Sequence, residues 1–156
     1  MSSKQALLVA LTPVMEHLKG LDPAAPNLAQ ALAAQFPFDG PVVREVKALV
    51  RQGVEARWLC ERENGQVRYS RVLKSEGGGL SIDAVHMAIE GAAHLHPAGE
   101  IDLAFAVAGA PTFDGRPEGW TVYAPNTWHV PTVRGGTMLI LYLLPGGAIE
   151  FLPQPA

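Results

Sequence analysis

Apolar residues recur along this chain at two different periods, and the change falls near Gly53. Before it, Leu7, Leu8, Leu11, Val14, Met15 and Leu18 share one face at helical spacing. Pro13 interrupts that stretch, has no N–H to give to a helix interior, and predicts a kink or a restart. A second helix is predicted from Asn27 to Phe36, with Leu28, Leu32 and Phe36 on one stripe and Pro37 ending it. A third starts at Pro41, a residue suited to a first helical turn, and turns Val42, Val43, Val46, Leu49 and Val50 inward until Gly53 stops it. These helices read as packing elements, and no chemistry is evident in them.

After Gly53 the period becomes two, the signature of strands with one buried face. The pattern predicts short strands over residues 56–60, 67–73, 80–89, 101–107, 120–124, 129–133, 138–144 and 148–152. Between them stand the turn clusters Glu63-Asn64-Gly65, Gly77-Gly78-Gly79, Asp114-Gly115, Arg134-Gly135-Gly136 and Pro145-Gly146-Gly147. Many short strands at close spacing point to a sandwich or closed barrel, which satisfies its own sheet edges. The expectation is a mainly β protein: residues 1–53 form a helical extension packed on a barrel, and residues 54–156 form the barrel.

Composition narrows the function. A chain of 156 residues that is 48% hydrophobic and 17% charged buries a core, which excludes disorder. A net charge of −3 gives no basic surface for phosphates, so nucleic acid is not an expected partner. The single cysteine, Cys60, makes no internal disulfide and reads as a small buried hydrophobe. The apolar run 6–11 is too short for a signal peptide and meets Pro13, Glu16, His17 and Lys19. No stretch approaches the roughly 18 apolar residues of a membrane span, so a cytoplasmic protein is expected, with no membrane partner.

Charge is unevenly placed. From Arg44 to Lys74 eight basic residues face four acidic ones, and Arg44, Lys47 and Arg51 read as a solvated helix face. Arg71 alternates with Ser70 and Val72 and shares parity with Val67, Tyr69 and Leu73, which turns it toward an apolar interior. A guanidinium there needs an anion, either an internal acid such as Asp83 or Glu100, or the carboxylate of a ligand.

The segment that carries chemistry is His94-Leu95-His96-Pro97-Ala98-Gly99-Glu100-Ile101-Asp102. On a strand His94, His96 and Glu100 share a face, and with the distant His129 they make a first set of ligands for a divalent transition metal. Asp102 continues the inward parity and is placed to orient a ligand histidine, while Ile101, Leu103, Phe105 and Val107 form the opposite apolar face. His17, His86 and Glu150 carry bland readings as surface or strand residues.

The His-x-His-x3-Glu pattern resembles the first motif of the cupin superfamily. Gly119 to Pro125 matches the Gly-to-Pro spacing of the second, which ends here one residue short at His129, with Asn126 taking the turn. Position 88 is Ala where a Gly is usual, and no Asn follows His129 in the usual place. Together with the run 94–103, Phe113-Asp114-Gly115, Glu118-Gly119-Trp120, His129-Val130-Pro131-Thr132-Val133, Gly135-Gly136 and Leu141-Tyr142-Leu143-Leu144-Pro145-Gly146-Gly147-Ala148-Ile149-Glu150-Phe151 resemble a small cupin-like family that includes the bacterial 4-hydroxylaminobenzoate lyases. The resemblance spans roughly residues 54 to 152 and implies a cupin-type β-barrel, a double-stranded β-helix, with the pocket inside it.

The resemblance also implies a reaction, the conversion of 4-hydroxylaminobenzoate to 3,4-dihydroxybenzoate and ammonia. Such a substrate needs an apolar slot, a cation for its carboxylate, and acid or Lewis-acid help in losing the hydroxylamino oxygen. The candidates are aromatic walls from Trp58, Trp120, Tyr123 and Trp128, a cation in Arg71 ahead of Arg134, and the cluster His94, His96, Glu100 and His129 as catalytic and metal-ligating residues. The metal is left open among iron, manganese, zinc and nickel. Two other readings stand beside the lyase: a metal-dependent cupin oxygenase or isomerase of a small organic acid, and a small-molecule-binding cupin without catalysis. A homodimer is the expected assembly.

Overall fold

The computed structural model describes residues 2–75 and 79–151. Gly77 and Gly78 of the first glycine turn, and Leu152 of the last expected strand, lie outside the described residues. Three helices open the chain, α1 (Ser3–Leu18), α2 (Leu28–Gln35) and α3 (Pro41–Glu55). Among the described residues nine strands follow: β1 (Arg62–Asn64), β2 (Val67–Leu73), β3 (Leu80–Met87), β4 (His94–His96), β5 (Glu100–Phe113), β6 (Gly119–Tyr123), β7 (Thr127–His129), β8 (Val133–Pro145) and β9 (Glu150–Phe151).

Helix α1 begins at a capping box in which the Ser2 hydroxyl accepts from the Gln5 N–H and the Gln5 side chain accepts from the Ser2 N–H. The helix runs through Pro13 without a restart. Leu7, Ala10, Leu11, Val14 and Leu18 are buried on both sides of the proline, and that shared face holds the two halves in one helix. Val9, whose carbonyl loses its partner at Pro13, lies on the exposed side. Helix α3 passes the expected stop at Gly53, which is buried instead. A Cβ at Gly53 would lie 2.8 Å from Leu59 and 2.9 Å from Trp58, so the glycine is there for close packing rather than for ending the helix.

The strands form a six-stranded sheet in the order β1-β2-β3-β8-β5-β6 and a smaller sheet in the order β7-β4-β9. This jelly-roll arrangement is the mainly β, cupin-type fold, with the helices ahead of it in the chain. The large sheet divides its side chains by parity. One face carries Val72, Ile82, Ala84, Ile101, Leu103, Phe105, Leu139, Leu141 and Leu143 into a single core with the buried residues of all three helices. The other face carries Met87, Ala104, Met138, Ile140, Tyr142 and Leu144 toward the small sheet. Each leucine or valine fully buried there contributes about 1.5–3 kcal/mol.

Three expectations are corrected. Residues 56–60 form no strand, because Arg57 and Cys60 adopt left-handed φ values of 61° and 55°, which break extended pairing. The Glu63-Asn64 pair belongs to β1, hydrogen-bonded to β2, and the turn narrows to Gly65 and Gln66. Arg134-Gly135-Gly136 is no turn either: β8 runs through it opposite β5, whose pairing shifts register between Ala106 and Ala108 and again between Gly109 and Thr112. The two backbones come so close at this bulge that a Cβ on Gly136 would stand 2.1 Å from the Ala108 carbonyl oxygen. Gly136→Ala therefore lowers the unfolding free energy by about 2–4 kcal/mol, read from urea denaturation; a change below about 0.5 kcal/mol contradicts the close approach.

Candidate metal centre

The smaller sheet brings the histidines together. In β4, His94 and His96 project to the same side, and antiparallel pairing sets His94 directly opposite His129 of β7. Glu100 opens β5 with its side chain on the inward face of the large sheet, so it meets the histidines across the interior. His129 Nε2 lies 3.0 Å from His94 Nε2, 2.9 Å from His96 Nε2 and 3.1 Å from Glu100 Oε2. His96 Nε2 stands 3.0 Å from the same carboxylate oxygen. His94, His96 and Glu100 are buried, and His129 is nearly so.

These contacts set four polar atoms closer together than pairwise hydrogen bonds alone account for. The Ala92 carbonyl can only accept, so at 3.1 Å it fixes the hydrogen of His94 on Nδ1 and leaves a lone pair on Nε2. The Nε2 of His129 faces two imidazole nitrogens and a carboxylate oxygen, more groups than its one hydrogen can serve. Neighbouring ligands about 2.1 Å from one ion stand about 3.0 Å apart when their bonds meet at right angles, which is the spacing seen here. Three imidazoles and one carboxylate therefore fit a divalent transition metal, and all four donor atoms lie within 4.8 Å of one another. They leave room for further ligands at the ion.

Electrostatics follow from the same crowding. Burial and the neighbouring His96 lower the His94 pKa to about 4, so it is neutral at pH 7. For His129 burial pulls the pKa down, but the hydrogen bonds to Asp114 and Glu100 prevail and lift it to about 9. Glu100 is held low against its burial by His129 and His96. Asp102, wholly buried on the same face, is pushed well above the carboxylate range by burial and by the charge of Glu100. Among the described residues neither of its oxygens has a hydrogen-bond partner, so it does not orient a ligand histidine as expected.

The other expected residues divide between two faces. Tyr123 pairs with Glu100 and lays its ring over His129 with centroids 4.1 Å apart. Trp120 is opposite Leu103 on the helix-facing side, where its indole N–H donates to the Phe36 carbonyl, so it is no wall of the interior. Trp58 packs into the same helical core. Trp128 pairs with Leu95 and by strand alternation faces away from the histidines. Arg134 reaches Glu90 at the surface. Arg71 does lie on the inward face, but at its edge, with its side chain half exposed and its guanidinium on Asp83 at 2.8 Å. Two residues escaped the sequence reading. Phe151 of β9 sits opposite His94, its ring edge-on at 5.8 Å. Asp114 touches both His129 and Tyr123; in the sequence it stands only as an Asp-Gly turn and within the family-like run Phe113-Asp114-Gly115, with no role attached.

A jelly roll whose inner face presents three histidines and a glutamate defines a cupin with a side-chain group that could hold a metal ion. The family model described as "PnbB: 4-hydroxylaminobenzoate lyase" matches residues 10–151, and the chain belongs to that enzyme family. A 4-hydroxylaminobenzoate lyase of Nocardioides sp. (strain LMS-CY) is 32% identical over 97% of this chain and 96% of its own length. One of Pseudomonas putida is 26% identical over 80% of this chain and 82% of its own. Among solved structures, one described as "Crystal structures of DMSP lyases RdDddP and RnDddQII" superposes with a TM-score of 0.54 at 13% identity, covering 97% of this chain and 98% of that one. That likeness concerns the fold alone. Among the described residues no helix is long and apolar enough to cross a membrane.

A metal displaces the His129 proton, so its apparent affinity depends on pH. Because pairing raises the His129 pKa above 6.5, the stability that this proton gives the metal-free fold is complete below pH 6.5 and is lost as pH rises through about 9. Metal binding runs the other way. From pH 7 up to about 9 the affinity for zinc, measured by chelator competition, rises by about tenfold per pH unit and then levels; an affinity flat between pH 7 and 9 contradicts a protonated His129.

Proposed function

We propose that the enzyme converts 4-hydroxylaminobenzoate to 3,4-dihydroxybenzoate and ammonia. The observation that carries the reading is family membership over residues 10–151 together with a buried three-histidine, one-glutamate centre in the barrel. The reaction balances without an external oxidant or reductant. The N–O bond breaks and its oxygen leaves as water, a second water adds to the ring carbon beside the nitrogen, and a third replaces the nitrogen, which departs as ammonia. One water is consumed in all.

A divalent metal held by His94, His96, Glu100 and His129, of the kind iron, manganese, zinc or nickel supply, contributes Lewis acidity at the departing oxygen. The residues of the chain do the rest. The neutral carboxyl of Asp102 holds a proton beside Glu100, and the ring of Tyr123 walls the site next to His129.

The substrate's carboxylate finds its cation along one row of the large sheet. Arg71 pairs with Asp83, Asp83 with Tyr142, and Tyr142 with Asp102, all on the inward face. Exposure falls along that row: 52% for the Arg71 side chain, 21% for Asp83, 8% for Tyr142 and 0% for Asp102. Three strand spacings separate the ends by roughly 14 Å at the backbone, and the arginine leans over Asp83 toward the centre. Burying the carboxylate without that cation costs several kcal/mol.

Two measurements test this reading. Under argon the metal-loaded enzyme releases ammonia and 3,4-dihydroxybenzoate in equal amounts; a requirement for dioxygen indicates an oxygenase instead, and binding without turnover a binding protein. Arg71→Lys raises KM for the carboxylated substrate by about tenfold or more, because an ammonium lacks the planar fork. Its melting temperature barely moves, since a half-exposed ion pair is worth about 0.2–1 kcal/mol. An unchanged KM removes Arg71 from the site.

A further inference from the structure

We propose that Asp114 is a positioning residue of the metal centre: its carboxylate holds His129 in the tautomer that turns the Nε2 lone pair toward the other three ligands. Asp114 Oδ2 lies 2.9 Å from His129 Nδ1 and accepts a second hydrogen bond from the Tyr123 hydroxyl. Its other oxygen, Oδ1, accepts from the Thr132 N–H at 2.8 Å, while the Asp114 N–H donates to the Thr132 carbonyl at 2.8 Å. The carboxylate is thus fixed at both oxygens and at its own backbone. It sits at the tip of the Phe113-Asp114-Gly115 turn with φ 49°, a left-handed conformation that aspartate tolerates and that directs its side chain back over the small sheet.

An ionised carboxylate only accepts, so His129 keeps a hydrogen on Nδ1, and the proton a metal displaces is the one on Nε2. The three ligand histidines differ in this respect. His94 has a neutral backbone carbonyl behind it at 3.1 Å, and the buried Nδ1 of His96 has no hydrogen-bond partner. Of the three, His129 has an anion at its back, which makes it the most basic imidazole ligand and the one whose orientation is most tightly set. Tyr123 completes the arrangement by stacking on the ring that Asp114 orients. The assignment concerns the metal centre and stands whichever substrate the enzyme takes.

Asp114→Asn is the test, because asparagine keeps an oxygen for the Thr132 N–H and turns an NH2 group toward His129. That NH2 needs an acceptor, which favours the tautomer with the hydrogen on Nε2. Zinc affinity, measured by competition with a chelator, falls by about 10–100-fold, with the melting temperature of the metal-free protein close to that of the wild type. Tyr123→Phe leaves the carboxylate on the imidazole and changes zinc affinity by less than about threefold. Nitrogen-15 spectra of the zinc-loaded wild type give His129 a protonated Nδ1 and a metal-bound Nε2, a readout that overall stability does not move. Zinc affinity of Asp114→Asn within twofold of the wild type overturns the assignment. If that variant does not fold, the wild-type spectrum decides: a His129 bound through Nδ1, or bare at Nδ1, overturns it.

Discussion

Three imidazole nitrogens and a carboxylate oxygen meet about a single point inside this protein, with His129 Nε2 between 2.9 and 3.1 Å from each of the other three. Lone pairs of this density in a buried site repel one another unless a cation stands between them. The metal-free chain supplies part of that charge as the His129 proton, held by Asp114 on one side and Glu100 on the other. A divalent ion supplies it fully. Burial first, and that crowding second, raise the acid at Asp102 and lower the pKa of His94.

Holding such a cluster requires a frame that does not relax. The frame is two sheets whose facing sides are fixed by register: the His94 and His129 pairing in the small sheet, the Glu100 and Tyr123 pairing in the large one. The opposite face of the large sheet is sealed by the three helices, with Ile101, Leu103 and Phe105 alternating against Glu100, Asp102 and Ala104. Parity couples the two, because a slip of one residue in β5 would send Ile101 and Leu103 into the site and its acids into the helical core. The apolar helical core thus protects the orientation of the acids.

Much of this was legible from periodicity. The three helices, the strand 67–73 and the inward parity of His94, His96, Glu100 and Asp102 all follow from spacing, because alternation survives wherever one face is dry. Where glycine and aromatic residues were read by type, the sequence misled. Gly53, Gly135 and Gly136 looked like stops but serve close packing, which depends on neighbours distant in the chain. Trp120 and Trp128 looked like walls, yet strand parity turns both away from the interior. Asp114 stood in a family-like run, but spacing gave it no role beyond the turn. Its partners His129 and Tyr123 come from β7 and β6, and only the folding back of that turn brings them together. Family resemblance, not spacing, pointed to a lyase, and membership of that family is what the comparison over residues 10–151 establishes.

The central claim is that the four convergent side chains are the ligands of one ion. X-ray absorption on the protein loaded with one equivalent of a divalent metal tests it most directly. The account predicts a shell of nitrogen and oxygen alone, with the outer scattering of three imidazoles. A sulfur ligand, or scattering from fewer than three imidazoles, contradicts it.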